Sequence, residues 1–172
     1  MKANLFLKYL VCYLLIVVSS LIILNTVGAG RIRNGIIKNN IKSMKTEAET
    51  ITSDYMKGYY SGNMSIFAVD SGLKTIDTFA DARIMIVNTA GEVISDSRGP
   101  AFDENKNRRT LPGWLLARDS YVGGNIKELS LNTVVAVIFP IDIDFVLKGY
   151  VVLSMEMSEI DKDAAYSIDT LN

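Results

Sequence analysis

The chain has 172 residues, a formal net charge of −1, one cysteine and no histidine. The charge balance excludes a nucleic-acid binder, which needs a basic surface, and the missing histidine removes the commonest general base and metal ligand. A lone cysteine makes no disulfide framework or zinc knuckle, and no GxxxxGK[ST], GxGxxG or GxSxG pattern offers a nucleotide loop or a nucleophile, so no cofactor and no metal is expected.

Residues 9–30, "YLVCYLLIVVSSLIILNTVGAG", hold 22 positions without a charge, and an apolar helix crosses a bilayer in about 20. Lys2 and Lys8 ahead of this stretch and the small residues Thr26 to Ala29 also fit a cleaved signal peptide. Its apolar core, however, exceeds the usual h-region of about 7–15 residues and ends in no A-x-A site. The sequence therefore predicts a short cytoplasmic tail and one uncleaved transmembrane helix within 1–30, with the membrane as partner through 9–30. Its orientation has two readings. Arg31, Arg33, Lys38, Lys42 and Lys45 outnumber Lys2 and Lys8, which by the positive-inside rule places the following domain in the cytoplasm. A short tail before the first apolar segment argues instead that the rest is translocated. Residues 31–172 carry 16 basic and 19 acidic groups, a net of −3, and are long enough for one soluble domain.

Through residues 31–60 the apolar side chains Ile37, Ile41, Met44, Ala48, Ile51 and Tyr55 recur at spacings of four and three, which predicts a long helix with one apolar stripe. The stripe either lies on the domain's own sheet or forms the seam of a homodimer. Gly62 and Asn63 break it. Ile66, Val69, Leu73, Ile76 and Phe79 then mark a second helix over 64–80.

From Arg83 the period becomes that of strands. In "RIMIVNTAGEVISDS" Ile84 and Ile86 point one way and Met85 and Val87 the other, so the first strand is apolar on both faces. Asn88 to Gly91 supply the turn of a hairpin. Residues 98–110 form a polar loop, and a short helix follows with Thr110 as N-cap and Gly113 as its weak point. Strand candidates at 121–129, 132–141 and 146–157 complete an α+β domain with a five-stranded antiparallel sheet flanked by helices. A polar exit helix follows over 158–172.

Taken in order, "ARIMIVNTAGEVISDS", "ENKNRRTLPGWLLA", "NTVVAVIFPI" and "KGYVVLSMEMSEID" resemble the single Cache, PAS-like extracytoplasmic sensor domain of bacterial membrane-bound histidine kinases. The similarity covers residues 81–162. It departs at Asn88, where an acid is common, at Lys106, where His is frequent, and at Pro112, which stands two residues late. The resemblance implies a sensor domain over 31–162 (long helix 31–60, core 63–157) facing outward from the cell membrane, with the exit helix leading toward a second span. It also implies a two-component signalling role without catalysis in this chain.

A PAS-like sensor holds its ligand between the sheet and the covering loop and helix. Arg109, Asn105, Trp114 and Tyr121 are the residues expected nearest that pocket, for an unidentified small molecule or ion. Arg109 offers a planar fork for a carboxylate or is a solvated loop arginine. Trp114 is a ligand wall or a core anchor. Asp96 is expected to cap the loop after the second strand. Asp142 and Asp144 fall short of the six to eight oxygens calcium prefers and read as a solvated turn. The competing function is a membrane-anchored interaction domain with a filled core and no ligand.

Overall fold

The structure, a computed structural model, describes residues 2–101 and 107–162, with side chains at 7–20, 22 and from Arg33 onward. The chain divides into two compact units, residues 1–36 and 37–172. The first is helical: α1 (Lys2–Thr50) begins in it, and Tyr9, Leu14, Leu15, Ile16 and Ile22 are exposed there. Among the described residues no helix is long and apolar enough to cross a membrane; the expected span at 9–30 falls partly on side chains outside the described set.

In the second unit α1 gives way to a π-helical turn (Ile51–Met56) and then to α2 (Lys57–Tyr60). The long helix expected over 31–60 is thus present, with a π-helical turn inside it. In an α-helix residues five apart point about 140° away from each other, whereas the wider i→i+5 turn brings them near one face. Ile51 and Met56 are accordingly both fully buried. Gly62, with φ of 78°, ends this segment. Ser65 then caps α3 (Ile66–Ala80) by accepting from the Ala68 N–H at 3.2 Å, and Asp81 stops the helix in a left-handed conformation.

Five strands follow: β1 (Arg83–Asn88), β2 (Val93–Asp96), β3 (Ser120–Ile126), β4 (Ser130–Ile143) and β5 (Val146–Glu156). They form one antiparallel sheet in the order β2-β1-β5-β4-β3. The β1–β2 turn is fixed by Asn88, whose side-chain oxygen accepts from the N–H groups of Ala90 and Glu92 at 3.0 and 2.9 Å, with Gly91 at φ 85°. Asp144 and Phe145, both at positive φ, make the two-residue turn between β4 and β5.

The sheet is apolar on both faces, as the alternation in β1 predicts. One face carries Ile84, Ile86, Val135, Val137, Val151 and Leu153, all buried, on the side of α1, the π turn and α3. Fully burying such a side chain contributes about 1.5–3 kcal/mol. Ile37, Met44, Ala48 and Ile51 of the α1 stripe are buried within this unit, while Lys38, Lys42 and Glu49 on the other side are exposed. The stripe therefore lies on the domain's own sheet. Of the two readings of the stripe, Ile37, Met44, Ala48 and Ile51 follow the first.

The short helix α4 (Gly113–Leu116) begins at Gly113, and Pro112, not Thr110, stands at its N-cap without a side-chain bond. Thr110 instead bridges to Glu92 alongside β2. After β5 the chain turns helical at 157 and is described to 162.

Candidate functional site

The second sheet face is covered by the connection from β2 to β3. Val93 donates to the Arg109 carbonyl at 2.8 Å and Leu111 to that of Gly91 at 2.8 Å, so residues 109–111 run as an extra edge beside β2. This places Leu111 and Leu115 over Met85, Val87, Val134, Ala136, Ile138 and Val152 in one buried cluster. Among the described residues, two grooves border this covering segment. One groove of about 340 Å³ is lined by Arg108, Arg109, Thr110, Lys127 and Glu128. Another of about 170 Å³ runs between Leu116 to Asp119 and Ile138, Pro140 and Tyr150.

Behind the first groove lies Asp96, whose side chain is 0% exposed. Its register with β1 sets it beside Arg83, which donates from Nε at 3.0 Å and from Nη2 at 2.6 Å. Arg109 Nη1 donates to the same carboxylate at 2.5 Å, and the Arg98 N–H at 3.1 Å, which is the loop-capping role expected of Asp96. Burial alone would raise the Asp96 carboxyl. The Arg83 and Arg109 guanidinium groups and the Arg98 N–H outweigh it and hold the pKa below the usual carboxylate range.

The arginines reach further. Arg109 Nη2 donates to the Glu128 carbonyl at 2.6 Å, and Arg83 Nη1 to that of Leu129. Both carbonyls belong to the β3–β4 turn, so Asp96 anchors a clasp joining the β1–β2 side of the sheet to the β3–β4 turn across this face. On the helix face, Ser95 donates to Asp70 at 2.9 Å and Ser97 to Asp77 at 2.7 Å, and Arg98 grips Asp77 through Nε and Nη2 at 2.9 and 2.7 Å. β2 is thereby tied to the clasp on one side and to α3 on the other.

Of the four expected site residues, Arg109 lines the first groove but is held by an internal carboxylate, a role neither of its two readings contained. Trp114 on α4 and Tyr121 on β3 sit elsewhere, edge to face at 5.5 Å, with the Arg118 guanidinium 5.8 and 5.9 Å from their ring centres. Trp114 is about half exposed; neither aromatic lines the groove of Arg109. Asn105 lies outside the described residues. Sequence reasoning missed Arg83, Arg98, Arg118 and Lys127. The signal available for the first was a charged residue opening a strand otherwise apolar on both faces. Asp142 and Asp144 line a groove of about 280 Å³ with Glu49, Thr52, Ser53 and Lys57. Among the described residues, no three or more acidic or cysteine side chains converge to hold a metal ion.

An antiparallel sheet in this order, with helices on one face and a loop and short helix on the other, agrees with the fold implied by the resemblance to Cache, PAS-like domains. Solved structures of sensor and ligand-binding domains share this fold. The sensor domain of the V. cholerae histidine kinase DctB matches with a TM-score of 0.62 and 15% identity, over 80% of this chain and 57% of that one. The ligand-binding domain of the Pseudomonas aeruginosa amino acid chemoreceptor PctC, solved with GABA, gives 0.56 and 14%, over 77% and 63%. The sensory domain of the Campylobacter jejuni chemoreceptor Tlp3 with isoleucine bound gives 0.51 and 11%, over 83% and 64%. The chain thus spans 57 to 64% of the length of these domains. No sequence family and no curated protein matches it.

Proposed function

We propose that this chain is the extracytoplasmic sensor domain of a membrane-bound, histidine kinase-type receptor, anchored through residues 9–30. In this reading it binds a small molecule or ion on the loop face of its sheet and passes a conformational signal across the membrane. The observation that carries the reading is the fold itself, with accessible grooves on the loop face. The exposed apolar side chains between Tyr9 and Ile22 support the anchor. Arg109, Asn105, Trp114 and Tyr121 remain the proposed ligand contacts.

A ligand moves a two-state protein only through different affinities for the two states. The clasp supplies a candidate element: a ligand beside Arg109 changes how firmly the β3–β4 turn is held to β2, and the ties from β2 to Asp70 and Asp77 carry that change to α3 on the helix face.

Thermal unfolding of the full chain in nonionic micelles, against amino acids, carboxylates and divalent cations, tests the reading. A compound at a hundredfold excess over its dissociation constant stabilises the folded state by about 2.7 kcal/mol, which moves the midpoint by several degrees. A shift for one compound, reduced in Trp114→Ala or Arg109→Ala, is the expected result. No shift from any compound favours the second reading, an anchored interaction domain. Two features support that reading: the buried apolar cluster that Leu111 and Leu115 form with the sheet and the exposed Phe145, Val146 and Leu147 at the β4–β5 turn.

A further inference from the structure

We infer that the β4–β5 turn and the groove behind it form a docking site for another protein, through a segment of that protein in which basic side chains surround an apolar one. The site lies on the helix face, apart from the loop-face grooves, so it goes beyond the sensor reading and does not depend on it.

Asp144 and Phe145 hold the two central positions of the turn at φ of 52° and 61°. Such a hairpin favours Asn-Gly, because both positions need positive φ, and a bulky residue is strained there. The strain gains no packing within the chain, since the Phe145 side chain is fully exposed. Val146 and Leu147 beside it are exposed as well, and contiguous apolar groups on a surface mark an interaction site. The Tyr60 hydroxyl donates to the Lys148 carbonyl at 3.4 Å, which ties the turn to α2 and helps to position Phe145 before a partner arrives.

Behind the turn, Phe139 and Ile143 give an apolar lining to the groove of about 280 Å³. Glu49, Asp142 and Asp144 line it against Lys57 alone, and among the described residues no ion pair neutralises them. Asp54 and Lys148, the neighbouring charges in sequence, offset each other, and with Lys45 one turn before Glu49 the balance is still negative. This charge selects the occupant. A basic segment is attracted, whereas a second copy brings the same acidic rim and an anionic lipid surface brings like charge. Phe145 then supplies the aromatic anchor, and the groove takes the partner's apolar side chain.

Selection of displayed random dodecapeptides on the full chain in nonionic micelles, with counter-selection on Phe145→Gly, tests the site. Glycine adopts positive φ freely, so this variant is expected to match or exceed the wild-type urea midpoint, and binding lost in it is not folding lost. Selected peptides are expected to combine Lys or Arg with an aromatic or aliphatic residue. A synthetic copy, followed by fluorescence anisotropy, is expected to bind about tenfold more weakly to Phe145→Gly, and to weaken with added salt and in the double variant Asp142→Asn, Asp144→Asn. Absence of any Phe145-dependent peptide, or dependent peptides without basic residues, overturns the proposal. Phe145-dependent self-association in sedimentation, or Phe145-dependent binding to anionic vesicles, also overturns it by naming a different occupant. The small-molecule thermal shift of the sensor reading is expected unchanged in Phe145→Gly, so either reading can fail alone.

Discussion

At the scale of single residues, Asp96 is where most of the loop face converges. Removing one partner of a buried charge cluster leaves the others uncompensated, at a cost of about 3–5 kcal/mol. Asp96→Asn is expected to destabilise the chain by that order at pH 7, read from the urea midpoint. The folded pKa of Asp96 lies below the unfolded value of about 3.9. The unfolded chain therefore binds more protons across the interval, and stability rises with pH there. The contribution is complete above the unfolded pKa and is lost as pH falls through the folded one. The gap between wild type and Asp96→Asn should narrow on acidification below about pH 4; a gap that stays constant to pH 2 would contradict this assignment. The capping part of this arrangement was legible in the sequence, because Asp96 closes a strand just before a Gly-Pro loop. The clasp was not. Arg83 and Arg109 each stand 13 residues from Asp96, and only the register of β1 and β2 and the course of the loop bring them to one carboxylate.

Among the elements, those specified locally were the ones readable in advance. The β1–β2 hairpin rests on Asn88 and Gly91, α3 on its Ser65 cap and apolar spacing, and the three later strands on alternation between short turns. The α1 stripe was equally plain, but what it packs against is a matter of tertiary partners, and periodicity alone does not choose between a sheet and a second copy. The π turn left no trace in spacing, since it alters which residues share a face without altering which are apolar. The β1–β5 pairing makes a sharper statement about packing. A side chain at Gly149 would meet the Val87 carbonyl oxygen well inside van der Waals contact, whereas Gly113, at the start of α4, has open space around it. Gly149→Ala is expected to cost about 1–3 kcal/mol through overpacking, with Gly113→Ala close to neutral, both from urea denaturation. Equal effects at the two positions would argue against the β1–β5 register.

For the molecule as a whole, the sequence carried the α+β class and the number of strands. Their order, β2-β1-β5-β4-β3, depends on the pairing of β1 with the distant β5, and short connections alone do not show it. The surroundings of the proposed contact residues were the least legible part, because the connection after β2 is positioned by the sheet and not by its own residues: Arg109 lines a groove while Trp114 and Tyr121 stack with Arg118 apart from it. The central claim is that a ligand on the loop face alters a clasp connected to the helix face. Amide hydrogen exchange on the full chain in micelles, with and without a compound that raises its melting midpoint, tests it most directly. The account predicts changed exchange at 109–111 and in the β3–β4 turn, together with a change in α3, whose ties to β2 run through Asp70 and Asp77. Changes confined to the β4–β5 turn around Phe145, with the loop face and α3 unaltered, would contradict it.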